Sequence, residues 1–381
     1  MCPESLFRQR LPFRGATFKA LREEGRFYAD KTRVIAGLAA SKRKFLFTRP
    51  AGFGKSLLLS TFEALFRDGI GAFHGLDIER SWSDRTYDVV RLDFSEAAGF
   101  ATEADFREQF DRMIVKGFAR AGFGPEGGAD VVMEFGEWLR SRPARSLVLL
   151  IDDYDAPLAA ALGDEALFKA VWSRLEAFFI RTKSCAEVFR FFFMTGEAKF
   201  TWAGPFGGFN DVIDISADPE FAGLAGLAEA ELREGFGEIL AAVARKLGLA
   251  VDEVVERLRE RCGGYCFDDA GMVRLFRPAS VIACLREAER KGVFPARESG
   301  EFASRLLPLI RARVREDAAW HQGAWFLPAF SLDMGISRRS DMALLLFQAG
   351  LLSVEPGGQG FLELRCPNQE TAAAMNSLAG G

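Results

Sequence analysis

The stretch "FLFTRPAGFGKSLLL", Phe45 to Leu59, constrains the fold more than any other. An apolar, aromatic run passes through a turn containing proline and glycine, and a leucine-rich helical pattern starts at Gly-Lys-Ser without a pause. A run of this length and composition suits a strand buried on both faces, as in a parallel sheet. A glycine turn that opens a helix aims backbone N–H groups and the positive end of the helix dipole at one point, and so favours an anion there. On this reading Arg49, Gly52, Phe53, Gly54, Lys55, Ser56 and Leu57 surround the phosphates of a nucleotide. Lys55 neutralises the β- and γ-phosphates, and the Ser56 hydroxyl holds Mg²⁺. One feature departs from the usual loop: its first glycine is replaced by Arg49.

A second pattern matches the first. "SLVLLIDDYDAPL", Ser146 to Leu158, is an apolar strand that runs into acids and is stopped by a proline. Asp152 at the strand tip is placed to hold the Mg²⁺ shell together with Ser56, and Asp153 to orient and activate the attacking water. Acids also end strands simply because the chain leaves for solvent there, but the Lys55 loop favours the catalytic reading. The next strand ends in "FFMTG". Its Thr195 stands where many P-loop ATPases place a residue that senses the γ-phosphate or the lytic water; a threonine capping a turn fits equally well.

Strands at Lys44 to Thr48, Asp88 to Ser95, Ser146 to Leu158 and Val188 to Phe200 alternate with helical segments. This order predicts an α/β fold, a P-loop NTPase parallel sheet with helices on both faces. After about residue 225 the pattern becomes helical, with two amphipathic helices and a glycine stop, then "RPASVIACLREAERKG". Near the end, "ALLLFQAGLLSVEPGGQGFLELRCPN" reads as helix, strand, Gly-rich turn and strand, the outline of a winged helix. The expected organisation is residues 1–225 as a P-loop ATPase-like domain with an N-terminal helical extension, 226–298 as a helical lid, and 299–381 as a small winged-helix-like domain.

Composition narrows the function classes. With 381 residues and a net charge of -4, the chain has no global basic field for nucleic acid. The opening "MCPESLFRQRLPF" lacks the apolar run of a signal peptide, and no apolar stretch approaches the length of a membrane span. Six scattered cysteines and two histidines give no zinc framework and read as reduced thiols in a cytoplasmic protein. The 37 phenylalanines read as core packing. Lys199, just after the fourth strand, could touch phosphate or a partner, although a solvated lysine is the plainer reading. "YADKT", Tyr28 to Thr32, fits structural packing at least as well as the nucleotide pocket.

The chain resembles the AAA-ATPase-like family of predicted bacterial P-loop ATPases, whose module often precedes a restriction-endonuclease-like nuclease. The resemblance lies in "TFKALREEGRFYADKT", "FLFTRPAGFGKSLLLSTFEALF", "VVRLDFS", "LLIDDYDAPL", "FFMTGEAKF", "NDVIDISADPEFAGLAGLAEAEL", "GGYCF", "RPASVIACL" and "LLLFQAGLLSV…LRCPNQE", in the family's order over nearly the whole chain. It implies ATP and Mg²⁺ as cofactors and a slow, Mg²⁺-dependent ATPase acting as a nucleotide-driven switch. Whether the partner is another protein or further copies of the chain stays open. So does the alternative of a nucleotide-binding scaffold that does not turn over; a DNA-binding regulator is less favoured.

The family typically reads Arg-Pro-Arg-Arg-Phe-Gly-Lys-Ser, so Arg49 belongs to the pattern and the departures are Ala51 and Gly52. Further departures are Asp153 for the usual Glu, Gly263 for Asp, Arg277 for Asn, and Asn210-Asp211 for an Asn pair. No Asp followed by Glu-x-Lys comes after "PNQE", so nuclease activity is not expected.

Overall fold

The computed structural model describes residues 11–13, 15–41, 43–200, 211–295, 302–316, 320, 324–337, 339–355 and 360–380. Helices α1 (Phe18–Glu23) and α2 (Thr32–Ala40) precede β1 (Lys44–Thr48) and α3 (Lys55–Asp68). Next come β2 (Asp88–Asp93), α4 (Glu103–Phe118), α5 (Val131–Arg140), β3 (Leu147–Asp152), α6 (Ala156–Ala160), α7 (Glu165–Ser184), β4 (Phe189–Gly196) and β5 (Val212–Asp214). The five strands form one sheet in the order β2-β3-β4-β1-β5, and every pairing is parallel. β3 is buried along its whole length, as a strand covered by helices on both faces must be. The α/β expectation holds. The sequence reading missed β5, whose three residues are too short to show a periodicity.

The local chemistry of the helix starts is readable. Thr102 and Asp105 form a reciprocal capping box on α4, while Asp130 and Asp164 cap α5 and α7 with their carboxylates. Helix α3 starts without such a cap, as α2 and α6 do. Its N-cap is Gly54, at φ +99°, and no side chain caps its first amides. Phenylalanines do fill the core: Phe62 and Phe66 of α3 meet Phe191 of β4, and Phe94, Phe110, Phe135 and Phe178 form a second aromatic stack.

Helices α8 (Glu229–Leu247), α9 (Val251–Cys262) and α10 (Pro278–Lys291) follow the sheet. They bury an apolar cluster of their own, including Leu240, Val254, Leu258 and Leu285. The C-terminal elements are α11 (Leu307–Glu316), β6 (Trp325–Pro328), α12 (Met342–Gln348), β7 (Ser353–Glu355), β8 (Phe361–Arg365) and α13 (Gln369–Ala379). Strands β6, β8 and β7 form an antiparallel sheet, which includes the hairpin that the Gly-rich turn announced. Phe302, Leu306, Leu345, Leu351 and Leu364 belong to the same apolar cluster as the parallel sheet. The C-terminal segment is therefore packed against the α/β unit and shares its core.

Among the described residues no helix is long and apolar enough to cross a membrane. Of the cysteines, Cys185, Cys262, Cys266 and Cys284 are buried and free, and Cys366 is exposed; Cys2 lies outside the described residues.

Gly264, in the loop between α9 and α10, has φ +78°, and a Cβ there would stand 2.5 Å from the Pro367 carbonyl oxygen of the C-terminal segment. The left-handed backbone alone costs about 1–2 kcal/mol for a residue with a Cβ; the backbone clash adds overpacking on the order of 1–3 kcal/mol. Gly264→Ala is expected to lower unfolding stability in urea by about 2–5 kcal/mol. Gly248→Ala, at φ +66° with open space around it, is the control and should lose no more than about 1–2 kcal/mol. Equal losses in the two variants would show that the Pro367 contact does not constrain the chain.

Candidate active site

The strand tips meet at the carboxyl edge of the sheet, where Thr48 is paired with Gly196 and Ile151 with Met194. Open parallel sheets bind ligands at this edge. The loop from β1 to α3 is held there by its carbonyls. Lys55 Nζ donates to the Arg49 and Pro50 carbonyls at 2.8 and 3.3 Å. Arg277 Nε donates to Ala51 O at 2.8 Å, Ala279 N to Gly52 O at 3.2 Å, and Gly226 N to Phe53 O at 2.9 Å. Every carbonyl from Arg49 to Phe53 thus has a donor. The oxygens that would repel a phosphate are tied back, and the uncapped amides at the start of α3 remain for an anion. Phe53 is buried edge-on against Tyr265 and Phe267, so its part in the site is its backbone. Leu57 also contributes main chain: its carbonyl accepts from the hydroxyls of Ser60 and Thr61.

Arg49 does something different from what its place in the loop suggests. Its side chain is only 1% exposed. The guanidinium donates to the carbonyls of Thr48 (2.9 Å), Ser216 (2.7 Å) and Ala222 (3.2 Å), between the rings of Phe47 and Phe267. Burial lowers its pKa to about 9. In this structure the guanidinium of Arg49, a residue expected beside the phosphates, bolts the end of β1 to the segment beyond β5.

Two departures from the family pattern fit each other. Gly52, at φ +83°, lies against Arg277, and a Cβ at Gly52 would stand 2.8 Å from Arg277 Nε and 3.0 Å from Ala279 Cβ. Arg277 in turn pairs with Glu370 at 2.8 Å. The side chain that enters at 277 needs the one that leaves at 52, a coupling across 224 intervening positions that no local pattern displays.

Asp152 is buried, and both its oxygens have donors. Thr195 Oγ1 donates to Oδ1 at 2.9 Å, and Arg91 of β2 donates to Oδ2 at 2.9 Å. Thr195 is itself fully buried, so in this arrangement it positions Asp152. Arg91 also reaches the Ser56 carbonyl at 3.4 Å and Glu63 of α3 at 3.5 Å. The donor set suits Mg²⁺, a hard ion that takes oxygen ligands: an exposed Ser56 hydroxyl and the Asp152 carboxylate lie on the two elements that Arg91 bridges. Glu63 gives Arg91 a second carboxylate partner beside Asp152.

Asp153 has a left-handed backbone, φ +50°, which aspartate tolerates better than most residues. Its carboxylate accepts from Arg305 at 2.5 Å. Burial opposes its ionisation, but the hydrogen bond and charge of Arg305, with Lys55 and Arg91 behind, outweigh it and hold the carboxyl below its ordinary pKa. Asp155, fully buried, accepts from the amides of Glu197 and Ala198, each at 3.0 Å. Burial pushes its pKa up to about 7, with Arg305 opposing and the charges of Glu197 and Asp153 adding. Arg305 and Arg91 could not be distinguished in the sequence from the other arginines. Only their carboxylate partners give them away.

Other residues lie apart from the site. Lys199 is buried, donates to Leu332 O at 2.6 Å and pairs with Asp214, so both the solvated and the phosphate-touching readings are corrected. In "YADKT", Tyr28 bonds Thr61, Asp30 caps Thr32, and Lys31 pairs with Glu231, which is structural packing. Asp211 pairs with Lys44 at 2.7 Å, and Asn210 lies outside the described residues.

Two outcomes follow from these environments. Arg49→Met leaves three carbonyls without their donor and is expected to cost about 3 kcal/mol in denaturant unfolding; full stability with weakened ATP binding would mean that the guanidinium serves the ligand. Asp155 binds its proton more tightly folded (pKa about 7) than unfolded (3.8), so its contribution to stability is complete below pH 3.8 and is lost as pH rises to 7. Asp155→Asn keeps the acceptor for the two amides and should flatten the fall of the melting temperature between pH 5 and 7. An unchanged slope would assign that fall to other groups.

Comparisons with known proteins place the sequence in a family. A family model, AAA-ATPase_like (predicted AAA-ATPase), matches residues 13–206. An uncharacterized protein from the vnfD 5′ region of Azotobacter chroococcum mcd 1 is 26% identical over 386 aligned residues, 97% of this chain and 69% of the relative. Among solved structures, Drosophila ORC bound to AT-rich DNA and Cdc6 aligns over 94% of this chain and 93% of the matched chain, at 12% identity and a TM-score of 0.28. With its sheet order, its loop and the family match over residues 13–206, the chain belongs to the AAA-ATPase-like family of predicted AAA-ATPases.

Proposed function

We propose that the protein binds ATP with Mg²⁺ at the carboxyl edge of the sheet and hydrolyses it slowly, as a nucleotide-driven switch. The observation that carries this reading is the loop in which the carbonyls of Ala51, Gly52 and Phe53 are tied back by donors outside it, beside an uncapped helix start. The phosphates meet the amides of Gly54 to Leu57, and Lys55 moves from the loop's own carbonyls to the phosphate oxygens. Ser56 and Asp152 would hold Mg²⁺, which when bound neutralises charge on the phosphates. Thr195 keeps Asp152 in one orientation, and Asp153 accepts a proton from the attacking water once Arg305 no longer holds it. A protein partner or further copies of the chain would read the switch.

One observation favours a second reading, a nucleotide binder without turnover: Asp153 is shorter than the glutamate usual in the family and is already paired with Arg305. Melting shifts and phosphate release separate the two. In the hydrolytic reading MgATP raises the melting temperature, Lys55→Ala removes at least about a tenfold share of the affinity, and Asp153→Asn lowers turnover on the order of 10²-fold at unchanged affinity. Binding without phosphate release, indifferent to Asp153→Asn, selects the second reading. No shift with millimolar ATP removes both.

A further inference from the structure

Residues 302–316 touch both halves of the site. Arg305, two positions before α11, pairs with Asp153 and lies 3.6 Å from Glu197 and 3.9 Å from Asp155. Its backbone N–H donates to Glu197 Oε2 at 2.9 Å, so the main chain is fixed as well as the side chain. Three positions earlier, the buried Phe302 ring lies 5.4 Å from the Arg277 guanidinium, whose Nε holds the Ala51 carbonyl of the loop. Gly350, just beyond α12, completes the contact: a Cβ there would stand 2.5 Å from Pro50. The C-terminal segment is thus in contact with the loop that would take the phosphates and with the carboxylate that would take the proton.

A general base must offer a free, basic carboxylate. Arg305 sits on the Asp153 carboxylate and so occupies the place an attacking water has to reach. We propose that residues 302–316 form an intramolecular latch in which Arg305 occupies Asp153 and restrains turnover until the terminal phosphate of a bound nucleotide competes for the guanidinium. The same exchange shifts the Phe302–Arg277 contact and so reports the state of the loop to the C-terminal sheet. This inference rests on the hydrolytic reading of the site for its effect on turnover, but the latch contact is measurable without nucleotide.

The test is hydrogen–deuterium exchange of peptides covering Leu307–Glu316, together with phosphate release, on the full chain. In the nucleotide-free protein Arg305→Ala should speed exchange in this segment by about tenfold, and wild type should approach that rate when MgATP is added. Turnover should rise about fivefold in Arg305→Ala, with little change in the nucleotide affinity read by melting shift. Glu197→Gln loosens the backbone anchor of Arg305 while keeping its own shape; it should move both readouts in the same direction and covers the case in which Arg305→Ala does not fold. Unchanged exchange in the folded variants overturns the latch. Turnover that falls in Arg305→Ala also overturns it and makes Arg305 a residue that assists the reaction. Faster exchange while no protein releases phosphate overturns the hydrolytic reading, and with it the restraint on turnover.

Discussion

A buried guanidinium and a set of carbonyls hold this structure in its binding-ready shape. Carbonyl oxygens are the worst neighbours for a phosphate, and a loop that must present amides has to turn its oxygens away. Here Arg49 fixes the end of β1 by three carbonyl bonds, and Lys55, Arg277, Ala279 and Gly226 take the carbonyls that follow. The donors come from the loop itself, the segment beyond β5 and the start of α10. The conformation of the loop is therefore a property of the whole molecule. A buried charge survives such a position because its two terminal nitrogens donate to three carbonyls and its faces are covered by Phe47 and Phe267.

The same economy governs the acids. Asp152, Asp153, Asp155 and Glu197 crowd the tips of β3 and β4, and unpaired they would repel one another in a poorly solvated place. Arg91 and Arg305 supply the compensating charge, one from β2 and one from the C-terminal segment. Burial leaves Asp155 favouring its neutral form, which relieves the cluster further. Every cationic and anionic group at this edge thus already has a partner, and a ligand that enters it has to displace one of them.

Much of the fold was legible. The strands β1 to β4 carry mostly apolar runs, the helices carry caps such as Thr102 and Asp164, and the glycine before Lys55 takes the left-handed conformation that opens α3. The acids at the tip of β3 were legible as a site because strand and loop patterns occur together. What escaped has specific causes. β5 is too short for periodicity; Thr195 and Lys199 differ from solvated residues only in burial; and Arg49 reads as a loop residue although its side chain leaves the loop.

The sequence by itself determined the ladder of strands, the turn that exposes amides, and the placement of a lysine, a serine and two aspartates at the sheet edge. These are local matters: apolar runs, turn residues and caps act over a few positions. Only the tertiary structure decided that Arg91 and Arg305 neutralise those aspartates, that Arg277 fits where Gly52 leaves room, and that the C-terminal segment shares the core of the parallel sheet. An arginine in a sequence is one long cation among many. Its partner is chosen by burial and distance, which exist only after the chain has packed.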